Sequence, residues 1–509
     1  MYYYFLPFIL GIISSFSLPP YNFVFLNFLT FPIFLYLLIK INEAKVKWKN
    51  FKLGWFFGFG YFLSNIYWIV YSLTFEDNFK IFIPFALILI PSFLALFYGF
   101  STLIIGSFKL KNSFLSILIF ALIFSIIEFL RGFILGGFPW NLIVYSLTNY
   151  LNSIQILSII GTYSLNLISI TIFLFPLLIF FTKNINLKIF IVISICLILI
   201  INNLYGSFKI KNNKKYYSDF KNFKIKVVSP KISIDRFFDN SNKYNIIEEL
   251  IDLSKTSNSG NTIYVFPEGV LPGVSLNYLN NFKNLFENNF SDKDLIIMGI
   301  NSEELVNNKI LTYNSMVVLD NKLNLLHIYK KNKLVPFGEF LPFEKFLKKF
   351  GLKKVTQGYE SFSRGNSRKL IFINEHNFSF IPLICYEIIY SGKISIGSKY
   401  TNFIINISED GWFGDSIGPY QHFSHSVFRA IEEGKNVIRS TNNGISAYIN
   451  ANGQIINKIP STHKGVIEIT QYILLKQTFF TKYGNKIFFY FVSIYIILIF
   501  LIYKKKGKQ

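Results

Sequence analysis

The sequence is poor in cysteine, with two residues in a chain of 509. Cys196 lies inside a long apolar segment and Cys385 at the end of another apolar run, so no disulfide framework is indicated. Histidine is also scarce, with five residues. His422 and His425 lack the spacing of a zinc-protease motif and have no obvious third ligand. The sequence therefore predicts neither a metal site nor a cofactor, and hydrogen bonding within a loop is the better interpretation of His422.

Acidic residues are few as well: 28 Asp and Glu stand against 51 Lys and Arg, and the formal net charge is +23. No basic motif or arm accompanies this excess, and many lysines flank apolar segments, so we do not predict binding of nucleic acid. Hydrophobic residues make up 52% of the chain and aromatic residues 19%. Because this is too apolar for a soluble protein of such length, the composition predicts several membrane spans.

Apolar segments of roughly the length needed to cross a bilayer fill the first 204 residues, and one more lies near the C-terminus. The predicted spans are Tyr3–Phe16, Phe23–Ile39, Leu53–Leu73, Ile81–Phe108, Phe114–Phe129, Ile154–Phe181, Ile189–Ile201 and Ile487–Tyr503. The first lacks a charged leader and a small-residue cleavage site, so we interpret it as a span. Lysines follow the second, fourth and sixth spans, which predicts a cytoplasmic N-terminus and an extracytoplasmic segment after the seventh span.

That segment, at about 222–470, is polar and combines short apolar runs with helical patterns such as 244–255 and 421–435. The apolar runs predict strands at Lys224–Val228, Thr262–Phe266, Leu295–Ile300, Ser315–Leu319, Phe380–Cys385, Asn402–Ile407 and Gly444–Ile449. Alternating strands and helices indicate a layered α/β domain large enough to bury its own core. We thus predict a transmembrane domain at 1–204, an extracytoplasmic domain at 222–470 and a C-terminal span at 487–503.

Three motifs in this polar domain carry residues suited to acyl transfer. They are VFPEGVLPG with Glu268, YKKNKLVPFGEFLPFE with Lys331 and Glu339, and LICYE with Cys385. A carboxylate can take the proton of a thiol, and a lysine can stabilise the oxyanion and lower the thiol pKa. Each residue alone also has a structural interpretation: a buried core cysteine, a solvated turn glutamate, a wet lysine cluster and an ion-pair partner.

The order of these motifs resembles the nitrilase superfamily, whose centre is a Glu-Lys-Cys triad in an αββα sandwich. The spans and five further motifs resemble its membrane-embedded branch, the apolipoprotein N-acyltransferases. Those motifs are RGFILGGFPWN (131–141), LVPFGEFLP, SRG (363–365), GWFG…GPYQHF (411–423) and RSTNNGIS (439–446). The resemblance implies an α-helical transmembrane bundle of about eight spans joined to a nitrilase-like α/β domain. It also implies a bacterial inner (plasma) membrane location, with the catalytic domain on the periplasmic side.

The resemblance further implies roles for individual residues. Glu268 matches the general base, Lys331 the oxyanion-stabilising lysine and Cys385 the nucleophile. Supporting or substrate-binding positions are matched by Glu339, Asn314, Tyr386, Glu387, Phe237 and Trp412. Phe237 marks a departure, because the family has a tryptophan near this place and the chain reads VSPKISIDRFF. Trp412 is one of several aromatic residues that could line an acyl entrance or belong to an interfacial belt.

The implied reaction has two steps and two lipid substrates. Cys385 takes an acyl chain from a membrane phospholipid as a thioester, and the N-terminal amine of a diacylated lipoprotein then accepts the chain. An alternative is a membrane-tethered amidase that hydrolyses a small amide, with water as the acceptor. A transporter or receptor is a third interpretation, but ionisable residues are almost absent from the spans. Glu128 and Arg131, at the end of one span, are expected to brace the FPWN loop.

Overall fold

A computed structural model describes residues 2–43, 46–237, 242–254, 261–271, 273–342, 344, 361–394 and 400–506. The α-helices in these ranges are α1 (Tyr2–Ser15), α2 (Asn27–Asn42), α3 (Lys47–Ile66), α4 (Asp77–Lys80), α5 (Ile83–Ile105), α6 (Phe114–Arg131), α7 (Leu157–Leu174), α8 (Pro176–Phe181), α9 (Ile185–Asn213), α10 (Lys243–Ser254), α11 (Lys283–Glu287), α12 (Gly418–Glu433), α13 (Phe479–Tyr483) and α14 (Lys486–Lys506).

The strands in the same ranges are β1 (Tyr217–Asp219), β2 (Lys224–Ser229), β3 (Thr262–Val265), β4 (Leu295–Val306), β5 (Lys309–Asp320), β6 (Leu325–Lys330), β7 (Ile371–Ile373), β8 (Phe378–Ile384), β9 (Phe403–Glu409), β10 (Asn436–Asn442), β11 (Ser446–Ile449), β12 (Ile455–Ile459), β13 (Gly465–Ile469) and β14 (Gln471–Ile473). β1 pairs with β14, just outside the predicted limits of the polar domain.

Seven helical segments within the described ranges are long and apolar enough to cross a membrane. They are Val24–Asn42, Lys47–Leu73, Ile83–Ile105, Phe114–Arg131, Ser153–Phe181, Ile185–Tyr216 and Lys486–Lys505. These segments confirm seven of the predicted spans. The first predicted span corresponds to α1, whose 14 residues rise about 21 Å, less than the roughly 30 Å of a hydrocarbon core.

Phenylalanine side chains fill the interior of the helical bundle. Phe34 of α2 stacks on Phe57 of α3 with ring centroids 4.1 Å apart, and Phe120 of α6 meets Phe34 edge-on at 5.7 Å. All three side chains are fully buried. Because lipid tails are as apolar as these rings, close packing between helices holds such a bundle together more than removal of apolar surface from water.

The polar domain consists of two six-stranded sheets that pack face to face. The first has the order β13-β2-β3-β4-β5-β6, and the second has the order β12-β11-β10-β9-β8-β7. β2, β3 and β4 run parallel, as do β8, β9 and β10. Where β2 faces β10, the Ser440 hydroxyl donates to the Val228 carbonyl at 2.8 Å and the Ser229 hydroxyl to the Thr441 carbonyl at 3.2 Å.

Helices cover the outer faces of both sheets. Ile247 and Leu250 of α10 lie in one buried cluster with Tyr264 of β3 and Ile296 of β4. On the other side α12 packs against β10, and its opposite face packs against α7 of the membrane bundle. The layers are therefore helix, sheet, sheet and helix, which confirms the predicted αββα sandwich. Since α12 is shared with the bundle, it fixes the sandwich against the membrane helices.

Candidate active site

Cys385 lies at a sharp turn directly after β8. It begins a 3₁₀ helix with a φ of +48°, in the left-handed region that residues other than glycine adopt rarely and at a cost in energy. The Ile384 N–H donates to Glu387 Oε2 at 3.0 Å. The Cys385 carbonyl accepts a hydrogen bond from Asn406 Nδ2 at 3.4 Å, and His422 Nε2 lies 3.3 Å from the same oxygen. These contacts on both sides of the residue hold the turn in its unfavourable conformation.

Glu268 follows β3 and lies where β4 passes unusually close. A Cβ atom added at Gly299 of β4 would lie 2.5 Å from the Glu268 Cα, so only glycine fits there. The buried carboxylate accepts hydrogen bonds through Oε1 from Asn314 Nδ2 at 2.6 Å and Lys331 Nζ at 3.3 Å. Its Oε2 accepts the Glu409 N–H at 3.0 Å. The carboxylate is thus fixed in position from two sides.

Lys331 is the first residue after β6, and its side chain is 1% exposed. Its N–H donates to the Asn314 carbonyl at 2.8 Å and extends the pairing with β5. Its ammonium lies 2.9 Å from Glu339 Oε1 and 3.3 Å from Glu268 Oε1. Gly365 of the SRG motif closes over this turn, with its N–H 2.8 Å from the Lys331 carbonyl.

Asn314 and Glu339 complete a compact polar cluster. Asn314 Nδ2 donates to both Glu268 Oε1, at 2.6 Å, and Glu339 Oε1, at 2.9 Å. The second oxygen of Glu339 accepts the Val335 N–H at 2.8 Å. Two buried carboxylates therefore share one ammonium and one amide. The Lys331 ammonium has three N–H donors, and the two carboxylates use two of them.

Burial and charge set the protonation of this cluster. Burial raises the pKa of Glu268, against the opposing effect of Lys331. Burial alone would lower the pKa of Lys331, but the charges of Glu268 and Glu339 outweigh it and hold that pKa well above its ordinary value. Burial also raises the pKa of the Cys385 thiol, and the charge of Glu268 adds to the increase while Lys331 opposes it. The resting site thus contains a neutral thiol within the field of a buried ion pair.

The structure brings the three predicted catalytic residues together. The charges of Glu268 and Lys331 both act on Cys385, and the two charged groups contact each other directly. Asn314 and Glu339, predicted as supporting residues, lie in the same cluster. This convergence comes from strand ends and turns that are far apart in the sequence.

Glu387 lies next to this cluster, and it binds backbone N–H groups of the loops that carry Lys331 and Cys385. Glu387 Oε1 accepts hydrogen bonds from the Tyr329 hydroxyl at 2.7 Å and from the N–H groups of Asn332 and Lys333 at 3.1 and 3.2 Å. It also pairs with Arg368 at 3.1 Å. Since Oε2 holds the Ile384 N–H, this single carboxylate joins the turn of the cysteine to the turn of the lysine.

Tyr386 contacts the membrane part of the chain. Its hydroxyl donates to the Gly137 carbonyl at 2.9 Å, and its ring stacks on Trp140 with centroids 6.3 Å apart. Arg131 supports the same loop through hydrogen bonds to the carbonyls of Phe138 and Asn141. The expectation that Arg131 braces the FPWN loop is confirmed, and Glu128 pairs with the guanidinium of Arg131 at 3.5 Å.

Phe237 and Trp412 form an aromatic contact on another side of the site. Their ring centroids are 5.3 Å apart. A Cβ atom added at Gly269 would lie 3.1 Å from the Phe237 ring, so this ring covers the residue next to Glu268. Trp412 also meets Phe75, beyond the end of α3, at 5.7 Å. The two residues therefore lie between the general-base candidate and the membrane bundle.

A buried ionic network behind Cys385 was missed by the sequence analysis. Asp410 accepts a hydrogen bond from Arg439 at 2.8 Å, and its other carboxylate oxygen lies 2.9 Å from His422 Nδ1. Burial would raise the pKa of Asp410, but Arg439 and His422 lower it to about 2. Asp410 directly follows β9, at the same sheet edge as Cys385 after β8, and that shared edge was the available signal.

The hydrogen-bonding interpretation of His422 is confirmed, because this residue lies between Asp410 and the Cys385 carbonyl, but its predicted place in a loop is wrong, since it belongs to α12. Within the residues that the structure describes, no group of three His, Cys, Asp or Glu side chains is arranged to hold a metal ion. The site as it stands can supply a nucleophile, a base and a cation for the chemistry of an acyl group.

Comparison with known proteins covers both parts of the chain. The family model for the apolipoprotein N-acyltransferase N-terminal domain matches residues 10–175, and the carbon-nitrogen hydrolase model matches residues 230–471. The apolipoprotein N-acyltransferase of Rickettsia typhi is 34% identical over 488 residues, covering 94% of each chain. That of Rhodopseudomonas palustris is 31% identical over 479 residues, covering 90% of this chain and 87% of the relative. That of Rhizobium etli is 30% identical over 508 residues, covering 97% of this chain and 94% of the relative.

Proposed function

The chain belongs to the apolipoprotein N-acyltransferase family, and we propose that it moves a fatty acyl chain from a membrane phospholipid to the N-terminal amine of a diacylglyceryl-cysteine lipoprotein. Family membership makes it an acyltransferase, and the seven apolar helices make it a membrane protein. The observation that carries the proposal is the buried cluster of Glu268, Lys331, Asn314 and Glu339 around the strained Cys385 turn.

In the first step the Cys385 sulfur attacks the ester carbonyl of the phospholipid. The thiol proton passes to Glu268, and the negative charge moves onto the carbonyl oxygen. Lys331 has a third N–H donor for this oxyanion, because two are engaged by the carboxylates. The C–O bond then breaks, the proton goes from Glu268 to the departing alkoxide, and a lysophospholipid leaves a thioester on Cys385.

In the second step the amine of the lipoprotein attacks the thioester. A C–N bond forms, the C–S bond breaks, and a proton from the amine returns to the sulfur through Glu268. The resting thiol is neutral because burial raises its pKa, so base assistance is required in each cycle. Glu339 and Asn314 keep the ammonium and the Glu268 carboxylate in register without contacting the reacting atoms.

The orientation of the sandwich follows from the lysines between the spans. Lys47, Lys49 and Lys52 lie in the first two turns of α3, and the positive-inside rule assigns this end of the helix to the cytoplasm. The five segments α3, α5, α6, α7 with α8, and α9 then alternate, so the sandwich lies outside, on the periplasmic side of the inner membrane. This assignment does not depend on α1, the helix that is too short for a simple crossing.

The experiment is intact-mass analysis of purified protein after incubation with a phospholipid in detergent micelles. We expect a gain of one fatty acyl mass that is absent from Cys385→Ser, and loss of this mass when a diacylated lipopeptide with a free amine is added. Decay of the adduct at the same rate with and without the lipopeptide would indicate the amidase alternative. An equal gain of mass in Cys385→Ser would disprove the assignment of the nucleophile.

A further inference from the structure

A cavity lies beside the loops that carry Lys331 and Cys385. It has a volume of about 410 Å³, in the range of small-ligand sites. Its charged and aromatic lining residues are Lys333, Arg364, Arg368, Lys393, Glu387 and Tyr390. We call it the basic cavity, because these residues comprise four cations and one carboxylate. A cavity with such an excess of positive charge favours an anion.

The single carboxylate does not neutralise the four cations. Glu387 is held by Arg368 at 3.1 Å and by the N–H groups of Asn332 and Lys333. Three cations therefore face the cavity beyond this ion pair. Arg364 is exposed and contacts the side-chain oxygen of Asn332 at 3.1 Å, so its guanidinium is already oriented at the rim.

Arg368 presents an oriented guanidinium with a spare donor. One of its terminal nitrogens donates to the Lys393 carbonyl at 3.1 Å, and another pairs with Glu387. The residue is 8% exposed. The terminal nitrogen that donates to the Lys393 carbonyl carries a second N–H, and an anion in the cavity would give this donor an acceptor.

The pKa values of the two cavity lysines, Lys333 and Lys393, are both lowered. Burial, together with the charge of Lys333, lowers the pKa of Lys393 to about 8. Burial also lowers the pKa of Lys333, and the nearby arginines lower it further. A bound anion would oppose each of these effects, because it favours the charged form of both side chains.

Two residues of the cavity wall, Tyr390 and Lys393, contact the loop that follows α6. The Lys393 ammonium lies 3.8 Å from the centre of the Phe133 ring. Phe133, Ile134 and Leu135 form an exposed apolar loop end directly after this membrane-spanning helix. The Tyr390 hydroxyl joins the cavity wall to the Gly136 carbonyl at 3.0 Å. A lipid whose acyl chains lie in the membrane presents its anionic head group at such a boundary between apolar and polar surface. We therefore expect the anion to be part of a lipid.

The basic cavity and the acyl-transfer site share two short loops. Lys333 is two residues after Lys331, and Glu387 is two residues after Cys385. The hydrogen bond from the Lys333 N–H to Glu387 Oε1, at 3.2 Å, joins these loops. A glycerophospholipid carries its phosphate and its acyl esters on the same glycerol. Binding of the phosphate would therefore hold the ester near the thiol.

We propose that the basic cavity binds the phosphate of the acyl donor, so that the enzyme selects glycerophospholipids over neutral diacylglycerols. The ligand class is a lipid phosphodiester, and its recognition comes from Lys333, Arg364, Arg368 and Lys393. This inference rests on the proposed function. It goes beyond that function by naming the group on the donor that is recognised and the residues that recognise it.

The test compares two donors that share their acyl chains: phosphatidylethanolamine, whose phosphate is its only anionic group, and diacylglycerol. The measured quantity is kcat/KM for formation of the Cys385 thioester from phosphatidylethanolamine, divided by kcat/KM for its formation from diacylglycerol. We expect Arg364→Gln and Lys393→Gln each to lower this ratio at least about tenfold, as for loss of one charge-assisted hydrogen bond. Arg364→Lys keeps the charge and should restore most of the ratio. Lys369→Gln, an exposed neighbour outside the cavity, is the matched control.

Thermal unfolding of each variant verifies folding, and inorganic phosphate tests for a free anion as the ligand. Stabilisation of the wild type by inorganic phosphate, combined with an unchanged donor ratio in both variants, would overturn the lipid assignment. Equal use of the two donors by the wild type, with thioester formed from each, would refute the cavity's role and leave the proposed function intact. Folded wild-type protein that forms no thioester from any donor would refute both.

Discussion

Replacement of Glu387 by glutamine tests how much the Cys385 turn depends on one neighbouring carboxylate. The substitution keeps the shape of the side chain but turns one acceptor oxygen into a donor. The carboxylate accepts four hydrogen bonds, from Tyr329, Asn332, Lys333 and Ile384, and also pairs with Arg368. Glutamine must face at least one of these N–H groups with its own N–H₂, and it leaves the Arg368 guanidinium without a counter-charge.

The size of the effect follows from these losses. One hydrogen bond to a charged group contributes about 1.5–3 kcal/mol, and removal of one partner of a buried ion pair costs about 3–5 kcal/mol. The two losses overlap, so we expect a total on the order of 3–5 kcal/mol. If the turn stays folded but is mispositioned, an increase of about 3 kcal/mol in the activation free energy slows thioester formation about 10²-fold.

Two assays separate stability from positioning. The rate of thioester formation is followed by intact mass, and Tm is measured in detergent, where a loss of this size lowers Tm by about 6–20 °C for a domain of this length. Glu375→Gln, on an exposed 3₁₀ turn of the same sandwich, is the control. A Glu387→Gln protein that is acylated at the wild-type rate with an unchanged Tm would show that this carboxylate does not hold the two loops.

Three further predictions concern the site itself. Lys331→Ala should lower kcat for thioester formation about 10²–10³-fold, through loss of the oxyanion donor, and an undiminished kcat would contradict that role. Gly299→Ala should destabilise the sandwich by about 1–3 kcal/mol, because its Cβ would lie 2.5 Å from the Glu268 Cα; Gly465→Ala, whose Cβ would lie 3.5 Å from its nearest neighbour, should not. Burial raises the pKa of Glu268, and the base must be deprotonated, so kcat/KM should fall on acidification at a pH above the ordinary glutamate value; a profile without this acidic limb would argue against Glu268 as the base.

The sequence was sufficient for the architecture because its strongest signals are local. Apolar runs of membrane length identified the helices, and α14 and α7 lie where those runs predicted. Strands at Lys224–Val228 and Thr262–Phe266 agree with β2 and β3 to within one residue at each end. The apolar runs did not predict β6 or β10. β6 is a largely exposed edge strand, and β10 has only two apolar residues, Val437 and Ile438. β10 is a buried strand because it pairs with β9 on one side and β11 on the other, which a single-segment pattern does not reveal.

The sequence determined which reactive groups the chain carries, since Glu268, Lys331 and Cys385 were identifiable from their motifs and from the order of those motifs. Only the tertiary structure decided how these groups are held: the positive φ at Cys385, the clamp by Glu387, the Asp410–His422 network and the meeting of Lys393 with Phe133. Each of these features joins residues far apart in the chain or depends on a backbone angle imposed by its neighbours. Local composition specifies chemical type, whereas distance, burial and field arise from packing between elements.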